Sequence, residues 1–249
     1  MGALFVVSDV HGYRDDLVAG LEHEGLTDRS GRWTGGDADL WILGDLTDRG
    51  PDGIGVIDLV RSLHAQAPGQ VHTLMGNHEI LALGRKRFPD SKFASSWVLN
   101  GGLESDQEAL TPEHLEWLGS LPVLAKVGGY LFMHSDTSAY LDLGDSVEQI
   151  NAAVHDIVES EDVDRYWNLW AKLTSRYHFG RPGGPDVARR VLETLGAAGI
   201  VHGHSIIGSL IDCASSEVDG PVLYADGQVL AIDGGRYDGG PLLVVKLED

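Results

Sequence analysis

Three apolar runs, at 4–7, 40–43 and 71–75, each break off into a glycine-bearing loop dense in Asp, His and Asn. The loops read Ser8-Asp9-Val10-His11-Gly12, Gly44-Asp45-Leu46-Thr47-Asp48-Arg49-Gly50-Pro51 and Gly76-Asn77-His78-Glu79. Behind the first loop Leu17, Val18, Leu21 and (less strictly) Leu26 recur at helical spacing, and behind the second Ile54, Ile57, Val60 and Leu63 do the same. A strand that feeds a loop and then a helix, in repetition, predicts an α/β fold. Its ligand chemistry should gather at the carboxyl ends of the strands.

The middle of the chain is less regular. Residues 85–120 read as mainly helical and open on Arg85-Lys86-Arg87, while 121–126 and 130–134, joined at Gly128-Gly129, predict a β-hairpin. Between 127 and 164 there is no Lys or Arg against nine Asp or Glu. With Trp167 and Trp170 just beyond, this stretch predicts a helical excursion near 136–185. Its acids form a solvated helix face or, on the sharper reading, an acidic lid. Residues 186–197 suit a helix and 199–201 a strand entering His202-Gly203-His204. Short runs at 222–225, 229–232 and 242–246, set among Gly-rich turns, predict a second, antiparallel sheet. No repeat or linker interrupts the chain, so 1–249 reads as one domain.

Charge narrows the partners. With 18 Lys+Arg against 38 Asp+Glu the net charge is −20, which excludes a general nucleic-acid or anionic-membrane binder but leaves room for a small cationic site. The one cysteine, Cys213, forms no intrachain disulfide and rules out a Cys-rich zinc site. The N-terminal apolar run is too short for a signal peptide or a membrane span, and Val6 breaks the myristoylation pattern. The expectation is a soluble, reduced, cytoplasmic protein.

Any metal site must then use His, Asp, Glu and Asn, and the strand-end loops supply carboxylate, imidazole and amide donors. Asp9 and His11 stand two apart on one loop; Asp45, Asn77, His134 and His204 each follow a different strand. Neighbouring strands lie about 4.8 Å apart, so such residues can converge on two ions about 4 Å apart. Singly, each has a bland reading: an Asp beside Gly makes a turn, a lone His packs, and Asn-His caps a helix. Together they stand at strand ends. His23, His64, His72, His114, His155 and His178 lack such neighbours and are assigned structural roles.

Asp9-Val10-His11-Gly12, the run from Gly44 to Gly50, Gly76-Asn77-His78-Glu79, His134 and Gly203-His204 resemble the ordered signature of calcineurin-like metallophosphoesterases. Asp48-Arg49-Gly50, His78-Glu79 and the closing Ile232-Asp233-Gly234-Gly235 are similar to the phosphoprotein phosphatase branch, including its bacterial members. The resemblance implies a four-layer αββα sandwich of two mixed β-sheets flanked by helices, with a dinuclear metal site at the strand ends. It implies that Asp9 and His11 bind the first metal, that Asp45 bridges, and that Asn77, His134 and His204 complete the second. His78 would be the general acid oriented by Asp48, and Arg49, with Asn77, would bind the phosphate. A second phosphate-binding arginine is expected after the hairpin histidine, with Arg176 chosen over Lys172 and Arg181. Tyr237 is a loose match to a family tyrosine.

The implied reaction is hydrolysis of a phosphomonoester by a metal-bridging hydroxide. Two divalent ions, two aspartates and that hydroxide sum to roughly +1, a cationic pocket in an acidic protein. Such ions lower the pKa of bound water from about 15.7 to about 7. Mn²⁺ is the expected ion, with Fe, Zn, Ni and Mg as other candidates. The expected substrate is a phosphorylated protein or a small-molecule phosphoester such as a sugar phosphate. The alternative is a symmetrical dinucleoside polyphosphate, for which Trp97, Trp167 and Trp170 would form a base-stacking wall. A catalytically silent binding module comes last, because every implied ligand is present. Ser205-Ile206 after His204 departs from the Gly-His-x-His of class III cyclic-nucleotide phosphodiesterases and disfavours that branch. His202 stands where the family has an apolar residue, and reads as strand-buried or as a group behind the ligands.

Overall fold

The computed structural model describes residues 2–247. Its first half runs β1 (Leu4–Val7), α1 (Arg14–His23), β2 (Asp39–Ile42), α2 (Gly53–Gln66), β3 (Val71–Thr73) and α3 (Asn77–Arg87). Helices α4 (Lys92–Leu99), α5 (Glu104–Ala109) and α6 (Pro112–Ser120) then lead to the hairpin β4 (Leu124–Val127) and β5 (Tyr130–Met133). Beyond it come α7 (Val147–Glu159), α8 (Val163–Leu173), α9 (Gly184–Leu195), β6 (Gly199–His202) and α10 (Ile207–Ile211). The chain closes with β7 (Val222–Tyr224), β8 (Val229–Ala231) and β9 (Val244–Leu247).

The strands form two mixed sheets, in the orders β3-β2-β1-β9 and β4-β5-β6-β8-β7. Strands β1, β2 and β3 are parallel, as are β5, β6 and β8. The expected antiparallel tail sheet is corrected here. Only β7 and β8 pair as a hairpin; β8 runs parallel to β6, and β9 leaves for the first sheet, where Leu247 pairs with Leu4. Alternation along a strand describes its two faces and does not name its neighbour.

Side-chain alternation explains the layering. Val6, Leu43 and Leu74 from the first sheet share a cluster with Phe132, Val201 and Ile232 from the second. Trp41 meets Phe132 edge-on at 5.5 Å between the sheets. Phe5 and Val7 point the other way, into a cluster with Leu17, Leu21, Ile57 and Val60 of α1 and α2. Each such fully buried side chain is worth about 1.5–3 kcal/mol, so both faces of β1 hold it in place. In the acidic segment, α7 buries Ile150, Val154, Ile157 and Val158 and leaves Glu148, Asp156 and Glu159 exposed, as a solvated helix does. Among the described residues no helix is long and apolar enough to cross a membrane.

Candidate metal centre

The loops at the strand ends are bolted together by backbone before any side chain is considered. Asp9 N donates to Gly44 O at 3.2 Å, His11 N to Asp45 O at 2.8 Å and Gly12 N to Leu46 O at 2.8 Å. The buried Glu79 carboxylate then accepts from Asp45 N, Leu46 N and Gly76 N, each at 2.8 Å. A Cβ on Gly203 would stand 1.9 Å from Ser8 Oγ, so only glycine lets the β6 loop reach the β1 loop. The fit strains the chain. Asp9, His11, Asp45, Asp48, Arg49 and His204 have φ of +52°, +45°, +56°, +68°, +68° and +63°. Left-handed backbone costs a non-glycine residue about 1 kcal/mol or more, and it persists where the surroundings over-determine it.

These loops bring His11, Asp45, His134 and His204 together, while His78 rather than Asp9 joins the first group. His11, Asp45 and His78 form one group of potential metal ligands and Asp45, His134 and His204 another, with the donor atoms of each group within 4.8 Å of one another. Asp45 belongs to both, as a bridging carboxylate must. Its Oδ2 lies 3.6 Å from His11 Nε2 and 3.3 Å from His134 Nε2. Metal–ligand bonds of about 2.1 Å put adjacent ligand atoms about 3.0–3.4 Å apart, so the pocket is spaced for coordination. Asn77 Oδ1 lies 3.0 Å from His134 Nε2. Asp9 stands slightly back: Oδ1 is 3.9 Å from His11 Nε2, while Oδ2 accepts from Ser8 Oγ at 2.6 Å and His204 N at 2.8 Å.

Each of the three histidines expected as ligands has one ring nitrogen on a backbone carbonyl. His11 Nδ1 meets Thr47 O at 2.9 Å, His134 Nδ1 meets Leu43 O at 2.8 Å and His204 Nε2 meets Thr174 O at 3.0 Å. Carbonyls only accept, so those nitrogens donate and the opposite nitrogens face the pocket, the arrangement that orients ligand histidines. The donor set therefore fits a dinuclear divalent site.

Electrostatics point the same way. Burial alone would raise Asp45, but His134, His78 and His11 together hold its carboxyl well below the usual range. Burial opposes a charge on His134, yet Asp45, Asp9 and Glu79 push it up to about 10. Burial, and then His78, hold His11 well below the ordinary imidazole value, and burial with His134 does the same to His204. Asp9 is raised by burial. Burial and the neighbouring Asp45 charge lift Glu79 to about 7. Buried acids this close together call for positive charge among them.

Beside the ligands, His78 Nδ1 meets Asp48 Oδ2 at 2.7 Å. Arg49 sets Nη1 at 2.9 Å from His11 Nε2 and Nη2 at 3.1 Å from His78 Nε2, with its guanidinium 3.9 Å from the centre of the Tyr237 ring. Of the three basic residues expected for the second clamp, Arg176 is close enough for its charge to act on both His204 and Tyr237. Lys172 pairs with Asp142 instead.

The sequence model of the calcineurin-like phosphoesterases matches residues 3–208. The chain belongs to that family. It is 28% identical over 214 residues to a serine/threonine-protein phosphatase of Caenorhabditis elegans, covering 83% of this chain and 43% of that protein. It is 26% identical over 165 residues to a symmetrical bis(5'-nucleosyl)-tetraphosphatase of Vibrio parahaemolyticus, covering 65% of this chain and 54% of the other. The chain thus spans about half the length of these curated relatives. A cold-active protein-tyrosine phosphatase of a psychrophilic Shewanella species shares the fold with a TM-score of 0.74 and 23% identity, over 100% of this chain and 76% of that one.

In this family member, the six histidines assigned structural roles lie outside both ligand groups among the described residues. His114 packs on Asp58 and at the start of α6, and His72 stacks on Trp41. His202 is buried in β6 with Nδ1 on Gly203 O at 2.7 Å and Nε2 on the Tyr224 hydroxyl at 2.8 Å, so both nitrogens are occupied behind the ligands. Two residues were missed. The motif alone gives Glu79 no role, although an acid three residues after a helix N-cap is the acid half of a capping box. Asp136 ties Ser205 Oγ at 2.5 Å and Tyr177 N at 2.7 Å, and no local pattern marked it.

Proposed function

We propose that this chain is a two-metal phosphomonoesterase of the serine/threonine phosphatase type, one metallophosphoesterase domain over 1–249 with a helical insertion near 136–185. The observation that carries the reading is the pair of donor groups sharing Asp45, one with His11 and His78 and the other with His134 and His204, beside Asp9, Asn77, Asp48 and Arg49. When bound, two divalent ions would supply Lewis-acid polarisation of the phosphoryl group and lower the pKa of water. The rest falls to side chains. Arg49, Asn77 and Arg176 bind phosphate oxygens, and a phosphate held by Arg49 lies next to His78 Nε2. Asp48 holds the other ring nitrogen, so once phosphate draws Arg49 away from Nε2, that nitrogen can take up a proton and pass it to the departing ester oxygen. Mn²⁺ is the proposed activating ion, since N/O donors take several divalent metals. The lone Cys213 supports a reducing, cytoplasmic setting.

Symmetrical cleavage of a dinucleoside polyphosphate is the second reading, favoured by the tetraphosphatase relatives. The tryptophans weigh against it. Trp97 and Trp170 are buried, and Trp167 is engaged by Phe93, Trp170 and Lys92, so no free stacking wall remains. Turnover of the Mn²⁺-reconstituted protein on a phosphoserine peptide, a sugar phosphate and diadenosine tetraphosphate separates the readings. Faster phosphopeptide hydrolysis is expected. Much faster tetraphosphate cleavage would reverse the order, and no metal-dependent turnover on any of them would overturn the assignment.

A further inference from the structure

The last turn of α4 and the residues after it touch Arg49 and Asp48, the carboxylate that holds His78. Trp97, 1% exposed, donates its Nε1–H to Asp48 Oδ1 at 3.1 Å, while Oδ2 of the same carboxylate holds His78 Nδ1 at 2.7 Å. Three and four residues later, Asn100 O accepts from Arg49 Nε at 3.3 Å and Gly101 O accepts from Arg49 N at 2.8 Å. The indole is itself fixed, since a Cβ on Gly102 would stand 2.1 Å from its ring. Arg85 lies beyond it, 5.9 Å from the ring centroid.

We infer that Trp97 is a positioning residue for leaving-group protonation, acting on His78 through Asp48. The inference rests on the proposed role of His78 as general acid. A buried carboxylate with one oxygen on His78 needs a donor for the other. A Lys or Arg there would neutralise the carboxylate. The indole N–H fixes its rotation and leaves its negative charge facing the imidazole. In the reaction a water gives up one proton to solvent as its oxygen bonds to phosphorus and the ester P–O bond breaks, and His78 later regains a proton from solvent. The electron pair stays on the leaving oxygen, which takes the proton from His78 Nε2. Swinging Asp48 away would misdirect that proton and leave phosphate binding by Arg49 intact.

Trp97→Phe keeps an aromatic ring and removes the donor. Metal-loaded enzyme is assayed on p-nitrophenyl phosphate, whose leaving oxygen departs without a proton, and on a phosphoserine peptide, whose alkoxide needs one. With the peptide, kcat should fall about 10-fold or more while KM stays within about 2-fold; with the aryl ester, kcat should stay within about 3-fold. Trp97→His, which retains a ring N–H, should recover part of the lost peptide rate. An equal loss on both esters, or equal peptide rates in the His and Phe variants, would overturn the inference. Asp48→Asn separates it from the reading beneath. If that variant shows no leaving-group dependence, His78 is not the acid. If it does and Trp97→Phe does not, the role of Trp97 alone fails. In the Asp48→Asn background, Trp97→Phe should add less than about 2-fold, and full additivity would count against the coupling.

Discussion

The two halves of the metal pocket are braced in different ways. On the first sheet His11 and Asp45 are joined by backbone bonds between consecutive strand-end loops, with Glu79 clamping three amides from one side. On the second sheet His134 and His204 are bonded through Gly203 N to His134 O and to the first sheet through Leu43 O and Asp9 Oδ2, and they take further support from the end of the helical excursion. Thr174 O holds His204, Leu173 O accepts from Ser135 Oγ at 2.6 Å, and Asp136 ties Ser205 to Tyr177. The first half is thus built from strand ends and the first turn of α3. The second adds a wall from α8 and the loop after it, so changes in that segment reach the metals first through His134 and His204.

The largest effect should come where the halves meet. Asp45→Asn, assayed with excess Mn²⁺, should lower kcat by about 100-fold or more. Near-normal turnover would mean the two groups do not share a bridging ligand. Next, Glu79→Gln and Asp136→Asn should each weaken metal retention about 10-fold, read by calorimetric titration. Limited proteolysis distinguishes them: Asp136→Asn should expose the chain near Tyr177 and Glu79→Gln should not. Equal cutting in both would erase the difference between the halves.

The smallest effect concerns His202, which burial holds below the ordinary imidazole value. It is neutral in the fold, so as pH drops below about 6.5 the unfolded chain binds a proton that the folded chain refuses, and stability falls. In the metal-free protein, His202→Gln should flatten the stability–pH curve in that range, by at most about 1.4 kcal/mol per pH unit. Unchanged slopes would show that His202 does not titrate with unfolding.

The contrast also explains what could be read in advance. The loops of the first half are short and follow strands in order, so Asp9, His11, Asp45 and Asn77 declared themselves through strand–loop–helix rhythm. His134 and His204 stood out because they follow apolar runs. Their support from Thr174, Leu173 and Asp136 depends on how a helical excursion folds back, which periodicity does not encode. Tyr237 reaches His11 and Arg49 only because β8 runs parallel to β6 and β9 returns to the first sheet, a pairing hidden from the tail's own pattern. Trp97 was weighed as a wall for a base, since its helix gave no sign that the indole faces Asp48.

The left-handed conformation of Arg49 has a consequence for anyone improving this protein. Arg49→Ala and Arg49→Gly delete the same guanidinium and should be equally inactive. Only glycine relaxes the backbone at φ +68°, so the Gly variant should melt at a higher temperature than the Ala variant. A screen that rewards heat resistance without watching turnover would therefore drift toward erasing the phosphate grip, because at this position durability and catalysis ask for different residues.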